Sequence, residues 1–293
     1  MRPMLRIALG LALVGVTVSS CGDGGSTGAT GACVDVPGIV EAMAWSPGGE
    51  VLATSARDGS GGHVSVVSWP ERNVVRVASG PDVNPELVSV GDLGEPYWVE
   101  GWDDPRLRTL VENHAKTIAH LGDPLTVGIY WTIDGFRMLR WSGAGLPDRP
   151  PGESWSLVEA TVEGDRVRFG EPLIQSSDLR QVWVAPDGGE NVLLFERVGE
   201  PSRLELFADG RSQIVGEYTG IAHPSLLGRR EVVVRRSADS LMVAIDVADG
   251  SVRALSATPA LVGAVSSTGV LATASTRPAG SSQVCMEFAG STP

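Results

Sequence analysis

The chain has 293 residues, a formal charge of −12, 37 Gly, 19 Pro and 3 Cys. At 42% hydrophobic and 20% charged residues, it is neither a multi-span membrane protein nor a wholly disordered chain, and it is long enough for one large domain or two small ones. Its acidity, with Lys116 as the only lysine, excludes nucleic acid as the expected partner, because a phosphate backbone requires a positive field.

Arg2 and Arg6 precede an apolar run, Ile7 to Val18, and then Ser19-Ser20-Cys21. A charged start, about a dozen apolar residues and a small-residue site form the layout of a secretory signal. The run is shorter than the ~20 residues of a comfortable membrane span. Gly22 to Ala32 (GDGGSTGATGA) follows, with no large side chain to pack, and reads as a flexible tether. Val18-Ser19-Ser20-Cys21 resembles the bacterial lipobox, a branched residue and two small ones before Cys. The resemblance implies that Cys21 receives a diacylglyceryl group and becomes the first mature residue, with palmitate-type acyl chains holding it in the bilayer. Two or more acyl chains anchor stably where one does not. Gly22, rather than Asp23, stands directly after the Cys, so the inner-membrane retention pattern of some diderm bacteria is not matched. Loss of residues 1–20 removes Arg2 and Arg6 and takes the formal charge to −14. Such a surface repels an anionic membrane and favours a monomer.

From residue 33 onward the pattern is one of repeated short strands. Val40 to Trp45, Glu50 to Arg57, His63 to Trp69 and Asn73 to Ala78 form a predicted four-stranded antiparallel meander. Its first turn is Ser46-Pro47-Gly48-Gly49, and the Asp58 to Gly62 loop reads as a flexible hairpin. The unit recurs at Leu179 to Val215, with Ala185-Pro186-Asp187-Gly188-Gly189 as its turn. It recurs again from Glu231 to Leu255, and at Leu261 to Ala274, where Val270-Leu271-Ala272-Thr273-Ala274 nearly copies Val51 to Ser55. Pro47, Pro186, Pro224 and Thr268 mark turn positions, and weaker turns fall at Leu93-Gly94 and Asp134-Gly135. Six units over residues 33–293 give about 43 residues each, the period of four-stranded propeller blades. The expected fold is therefore all-β, a six-bladed β-propeller in one domain, after a signal at 1–20 and a tether at 21–32.

One segment admits two readings. Asp104-Pro105 before Arg106 to Leu121, with Gly122 after it, has the caps of a helix. The repeat register instead makes Leu107 to Val111 and Lys116 to His120 the third and fourth strands of blade two.

With Cys21 committed to lipid, Cys33 and Cys285 remain, one at each end of the repeats. Cys285 lies in the third strand of the sixth unit, and Cys33 to Val36 is placed to supply the fourth from the other terminus. Antiparallel neighbours bring Cα atoms within disulfide reach, and a secreted location permits the bond; two separate buried thiols are the alternative. Pairing of the N-terminal strand with the last blade closes the ring and removes two exposed edges.

These strands, with Ser-Pro-Gly-Gly and Ala-Pro-Asp-Gly-Gly before apolar runs, resemble the TolB-type propeller repeat, best at residues 44–55 and 184–195. Gly48 replaces the Asp of that pattern, and Leu93-Gly94 matches it weakly. The resemblance implies a fold; its members include periplasmic protein-binding scaffolds and hydrolase-associated domains.

Motifs for chemistry are sparse. His114 and His120, near Asp103, Asp104 and Asp123, are the one conceivable metal grouping; no metal or cofactor is expected. There is no nucleophile elbow, no CxxC, no dinucleotide fingerprint and no calcium loop. Trp45, Trp131 and Trp183 precede blade turns at matching positions and are expected in blade packing. Tyr97, Trp98, Trp102, Tyr130, Trp141 and Trp155 fall in the less regular region and form the candidate binding set, lining a groove on blades two and three. The expectation is an extracytoplasmic, lipid-anchored binding or scaffold module for a cell-envelope protein or glycan. The alternative is a propeller-class hydrolase, lactonase- or glycosidase-like, using acids or a metal at its channel.

Overall fold

The computed structural model describes residues 32–289 except 123–125, 133–134, 143–153, 177–178, 185–192, 198–201, 209–210, 219–220, 228–230, 237 and 279. The elements are β1 (Ala32–Pro37), then blade one, β2 (Ile39–Trp45), β3 (Val51–Asp58), β4 (Gly61–Ser68) and β5 (Val74–Gly80). Blade two is β6 (Val83–Val90), β7 (Pro96–Glu100), β8 (Arg106–Val111) and β9 (His114–His120). Blade three is β10 (Thr126–Thr132), β11 (Gly135–Ser142), β12 (Ser154–Glu163) and β13 (Arg166–Ser176). Blade four is β14 (Leu179–Val184), β15 (Leu193–Arg197), β16 (Ser202–Ala208) and β17 (Arg211–Tyr218). Blade five is β18 (Ile221–Leu227), β19 (Glu231–Arg236), β20 (Met242–Asp246) and β21 (Val252–Ala254). Blade six is β22 (Val262–Val265), β23 (Val270–Arg277) and β24 (Ser281–Phe288), completed by β1. This is a six-bladed propeller whose N-terminal strand pairs with the last blade.

Each blade is an antiparallel meander, and a single parallel bridge between Arg166 and His120 joins the outer strands of blades two and three. Residues 106–120 are strands β8 and β9, not a helix. Their turn uses two non-glycine residues at positive φ, Glu112 and Asn113, a conformation that Asn tolerates well. Pro224 lies inside β18, at a register irregularity between Ala222 and Ser225, and not at a blade turn. A proline lacks the ladder N–H, so a strand accommodates it where the register breaks.

The alternation of side chains explains why these strands read as near-continuous apolar runs. Leu52 packs into the seam between blades six and one, while Ala53 packs into the seam between one and two. Val232 and Val234 face blade four, and Val233 faces blade six. Met138 faces blade two, and Leu139 turns towards blade four. Both faces of each sheet are thus buried, one against each neighbour, so period-two alternation of polar and apolar residues is lost.

The inner-strand turns share one hydrogen-bond scheme. Ser46 N–H donates to the Val51 carbonyl, Gly91 N–H to the Glu95 carbonyl, and Ser266 N–H to the Val270 carbonyl. In blades one and six the serine hydroxyl also accepts the N–H of Val51 or Val270. In blade two, where Gly91 has no hydroxyl, the Glu95 carboxylate takes over, accepting Leu93 N–H and Tyr97 Oη–H. Gly49 and Gly94 both sit at positive φ, and a Cβ there would lie 2.6 Å from Thr268 Oγ1 and 2.7 Å from Val51 Cγ2, respectively. The turns of blades six, one and two therefore interlock side by side.

Trp45 is buried in the closing seam, where its Nε1 donates to the Ala264 carbonyl of β22. Trp131 stacks on Tyr97 of blade two at 5.3 Å, and its backbone N–H donates to Ser89 Oγ. Both are blade-packing residues; Trp183 lies on β14, and its side chain is outside the described residues.

Cys33 and Cys285 are register partners between β1 and β24 and form a disulfide across 252 residues of sequence. Crosslinking so long a loop restricts the unfolded chain strongly. Replacing both cysteines by serine is expected to lower unfolding stability by about 2–5 kcal/mol. Denaturant unfolding of the oxidised protein against the double variant checks it; equal midpoints would show that strand pairing alone closes the ring.

Candidate functional site

Because β2, β6 and β22 all run in the same sense, the propeller has two distinct faces. One carries the inner-strand turns described above. The other carries the β3–β4, β5–β6 and β7–β8 connections, and its polar groups at blades one and two are held in place.

The β3–β4 hairpin is organised by Asp58. Its Oδ1 accepts both Ser60 N–H at 2.7 Å and Ser60 Oγ–H at 2.6 Å. Its Oδ2 lies 2.7 Å from Nε2 of His63, a buried imidazole on β4. Asp-Gly-Ser-Gly is an Asx-turn sequence, and that signal, available in the chain, shows that the loop expected to be a flexible hairpin is an ordered one. The Ser60 hydroxyl, then the Ser60 amide and His63, hold the Asp58 carboxyl down at about 2.

The neighbouring loops stack against this hairpin. A Cβ on Gly61 would meet the Gly80 carbonyl at 2.4 Å, so only glycine lets the hairpin lie against the β5–β6 connection. From that connection, the Asp82 carbonyl accepts Gly101 N–H at 2.8 Å, and the Pro81 carbonyl accepts Trp102 Nε1–H at 3.4 Å. Beyond Trp102, Asp104 bridges His120 Nδ1 and Arg106 Nε, each at 3.2 Å. His120, then Arg106, lowers the Asp104 carboxyl from its ordinary value. The result is a rim that runs from Asp58 past Asp82 to Trp102, Asp104 and His120.

Of the six aromatic residues expected to line one groove, only Trp102 presents its ring at the described surface, with 52% exposure. Tyr97 and Trp98 are consecutive on β7 and so point to opposite faces of the sheet. Tyr97 packs in the seam between blades two and three, and burial together with Glu95 pushes its phenol up. Trp98, with no exposure, packs in the seam between blades one and two and donates to Glu100 Oε1 at 2.9 Å. Tyr130 and Trp155 pack with Leu139 and Leu157 towards Phe207 of blade four. Trp141 is the register partner of Trp155, and its side chain lies outside the described residues. A fully enclosed ring such as Trp98 serves packing and is not available to a ligand.

His114 and His120 stand at opposite ends of β9, about 20 Å apart at the strand rise, and do not converge. Among the described residues no group of three His, Cys, Asp or Glu is placed to hold a metal ion. The residues that sequence reasoning passed over are Asp58, Ser60 and His63, whose association needs the β3–β4 register.

No protein-family model matches the chain, and no curated protein sequence matches it. Solved structures do resemble it in fold. The β-propeller domain of Cps50 (Swd1) from Myceliophthora thermophila superposes with a TM-score of 0.55 at 12% identity, over 87% of this chain and 98% of that one. An oligogalacturonate lyase from Vibrio parahaemolyticus gives 0.57 at 8%, over 87% and 91%. The PQQ-bound aldose sugar dehydrogenase of Streptomyces coelicolor gives 0.51 at 12%, over 89% and 99%. At these identities the likeness establishes the propeller fold alone.

If Ser60 is the main cause of the low Asp58 value, Ser60→Ala moves the Asp58 titration midpoint from about 2 up towards the ordinary 3.8. Carboxyl NMR titration reads this directly. The sign for stability follows: a depressed folded value contributes stability above the unfolded value, and that contribution is lost as pH falls through about 2. Ser60→Ala therefore loses part of it at neutral pH and little below pH 2.

Proposed function

We propose that the protein is a lipid-anchored, extracytoplasmic binding module that takes glycan on the rim of blades one and two. The observation that carries the reading is Trp102, a half-exposed indole fixed by a hydrogen bond and bordered by carboxylates and an imidazole. A sugar ring presents C–H faces to an aromatic plane, while its hydroxyls donate to carboxylates, so this set of groups suits it. Anchoring rests on the signal-like residues 1–20 and the Val18-Ser19-Ser20-Cys21 lipobox resemblance. Intact-mass analysis of the membrane fraction tests it; an uncleaved chain with an unmodified Cys21 refutes the anchor.

A second reading is favoured by the fold likeness to an oligogalacturonate lyase and an aldose sugar dehydrogenase. In that reading the Asp58–His63 and Asp104–His120 pairs act on a bound sugar rather than only holding it. Both readings share the rim and differ in turnover.

Trp102→Ala is expected to weaken glycan binding about tenfold or more, as loss of a central aromatic contact does. Its thermal midpoint should not move, because the ring is half exposed. Affinity electrophoresis on a polysaccharide panel reads the binding, and chromatography of the same incubations reads turnover. Equal retardation of wild type and variant sinks the rim as the site.

A further inference from the structure

The Trp102 rim carries negative charge that its own groups do not balance. The described cations along it are engaged: Arg106 and His120 face Asp104, Arg57 faces Glu41, and Arg108 faces Glu100. Asp58 is taken up by Ser60 and His63. Asp82 and Asp103 are both exposed, and neither carboxylate has a partner among the described residues.

Both stand beside the indole. Gly101 is at positive φ, and a Cβ on it would lie 2.6 Å from the Asp104 carbonyl, so residues 101–104 form a tight turn that carries Trp102 and Asp103. Asp103 follows the ring directly, its Cα about 3.8 Å from that of Trp102. On the other side the Pro81 carbonyl accepts the indole N–H, which puts the Asp82 Cα within roughly 6 Å of the indole nitrogen. The Asp82 carbonyl accepts Gly101 N–H at 2.8 Å and fixes that spacing. An aspartate side chain is short, so each carboxylate stays near the ring in any rotamer. With its N–H already bonded, the indole offers a ligand its π face, which is negative.

We propose that the rim selects glycans with free amino groups, of glucosamine type, and that Asp82 and Asp103 set this specificity. The proposal rests on the reading of the rim as a glycan site and deepens it. A neutral sugar uses the indole but leaves both carboxylates without a partner. A uronate is repelled by them and by a chain of formal charge −12. A sugar bearing an ammonium satisfies all three groups. Its charge is attracted to the π face, and its three N–H donors reach the carboxylates. N-acetylation removes both the charge and two of those donors.

The test measures binding of the detergent-solubilised full chain to a glucosamine hexamer, to its fully N-acetylated counterpart and to a galacturonate hexamer. The pH is mildly acidic, so that the sugar amines are protonated. The glucosamine hexamer is expected to bind at least about fivefold more tightly than the acetylated one, and the galacturonate hexamer most weakly. Added salt narrows the first gap. The double variant Asp82→Asn, Asp103→Asn brings the two hexosamine affinities together and keeps the thermal midpoint, because neither carboxylate has a bond to lose. Glu71→Gln with Asp92→Asn, on the opposite face, leaves the preference unchanged, which separates the local pair from the general charge of the chain. Equal or tighter binding of the acetylated or galacturonate hexamer overturns the proposal, and so does a preference that survives the Asp82/Asp103 double variant; in each case the rim still stands as a glycan site. Binding of no hexamer, or binding that Trp102→Ala leaves intact, refutes the rim itself. Binding of a lysine-rich peptide and of no hexamer makes the partner a protein and also overturns the proposal.

Discussion

The structure depends on closing a ring in which no blade has a core of its own. Each sheet buries its two apolar faces only against its neighbours, and the seam between blades six and one is made by residues from opposite ends of the chain. Val36, Val40, Leu52 and Val67 meet Val262, Val270, Val284 and Met286 there. Exposing only four such side chains at about 1.5–3 kcal/mol each would match the ~5–15 kcal/mol by which a domain is normally stable. An open ring is therefore not a slightly weaker propeller. Strand β1, held in register by six residue pairs and the Cys33–Cys285 bond, is what keeps that seam shut.

The repeat was legible where glycine and serine punctuate it and obscure where another residue does the same work. Ser46 and Ser266 bracket turns that differ little in sequence, and they make the same bonds. The blade-two turn at Leu93-Gly94 looks weak because Gly91 stands where a serine is expected. Glu95 replaces the missing hydroxyl from four residues further on, so the geometry survives while the motif does not. Pro224 shows the converse: a residue that punctuates turns in most settings sits here at an irregular point of a strand.

The two faces of the ring have different chemistry. One holds ordered carboxylates, His120 and an exposed indole on loops braced against one another. The other holds the interlocked inner turns, exposed apolar side chains such as Leu93 and Phe288, and the first residue of β1.

By itself the sequence determined the number of blades and the positions of most strands, and it placed Cys33 and Cys285 at the two ends of the repeats, where the β1–β24 register joins them. These follow from strand period, turn chemistry and the spacing of cysteines, which are local or arithmetical properties of the chain. It did not determine which aromatics are available for contact. Tyr97 and Trp98 are neighbours in sequence, yet β7 sends one into each adjoining seam, and only the twist and register of the blades decide that Trp98 is enclosed while Trp102 is not. Nor did it bring Asp58 to His63, or Asp104 to His120. Those pairs form because strand pairing folds distant residues back to one rim, and that is a consequence of the closed ring rather than of any segment within it.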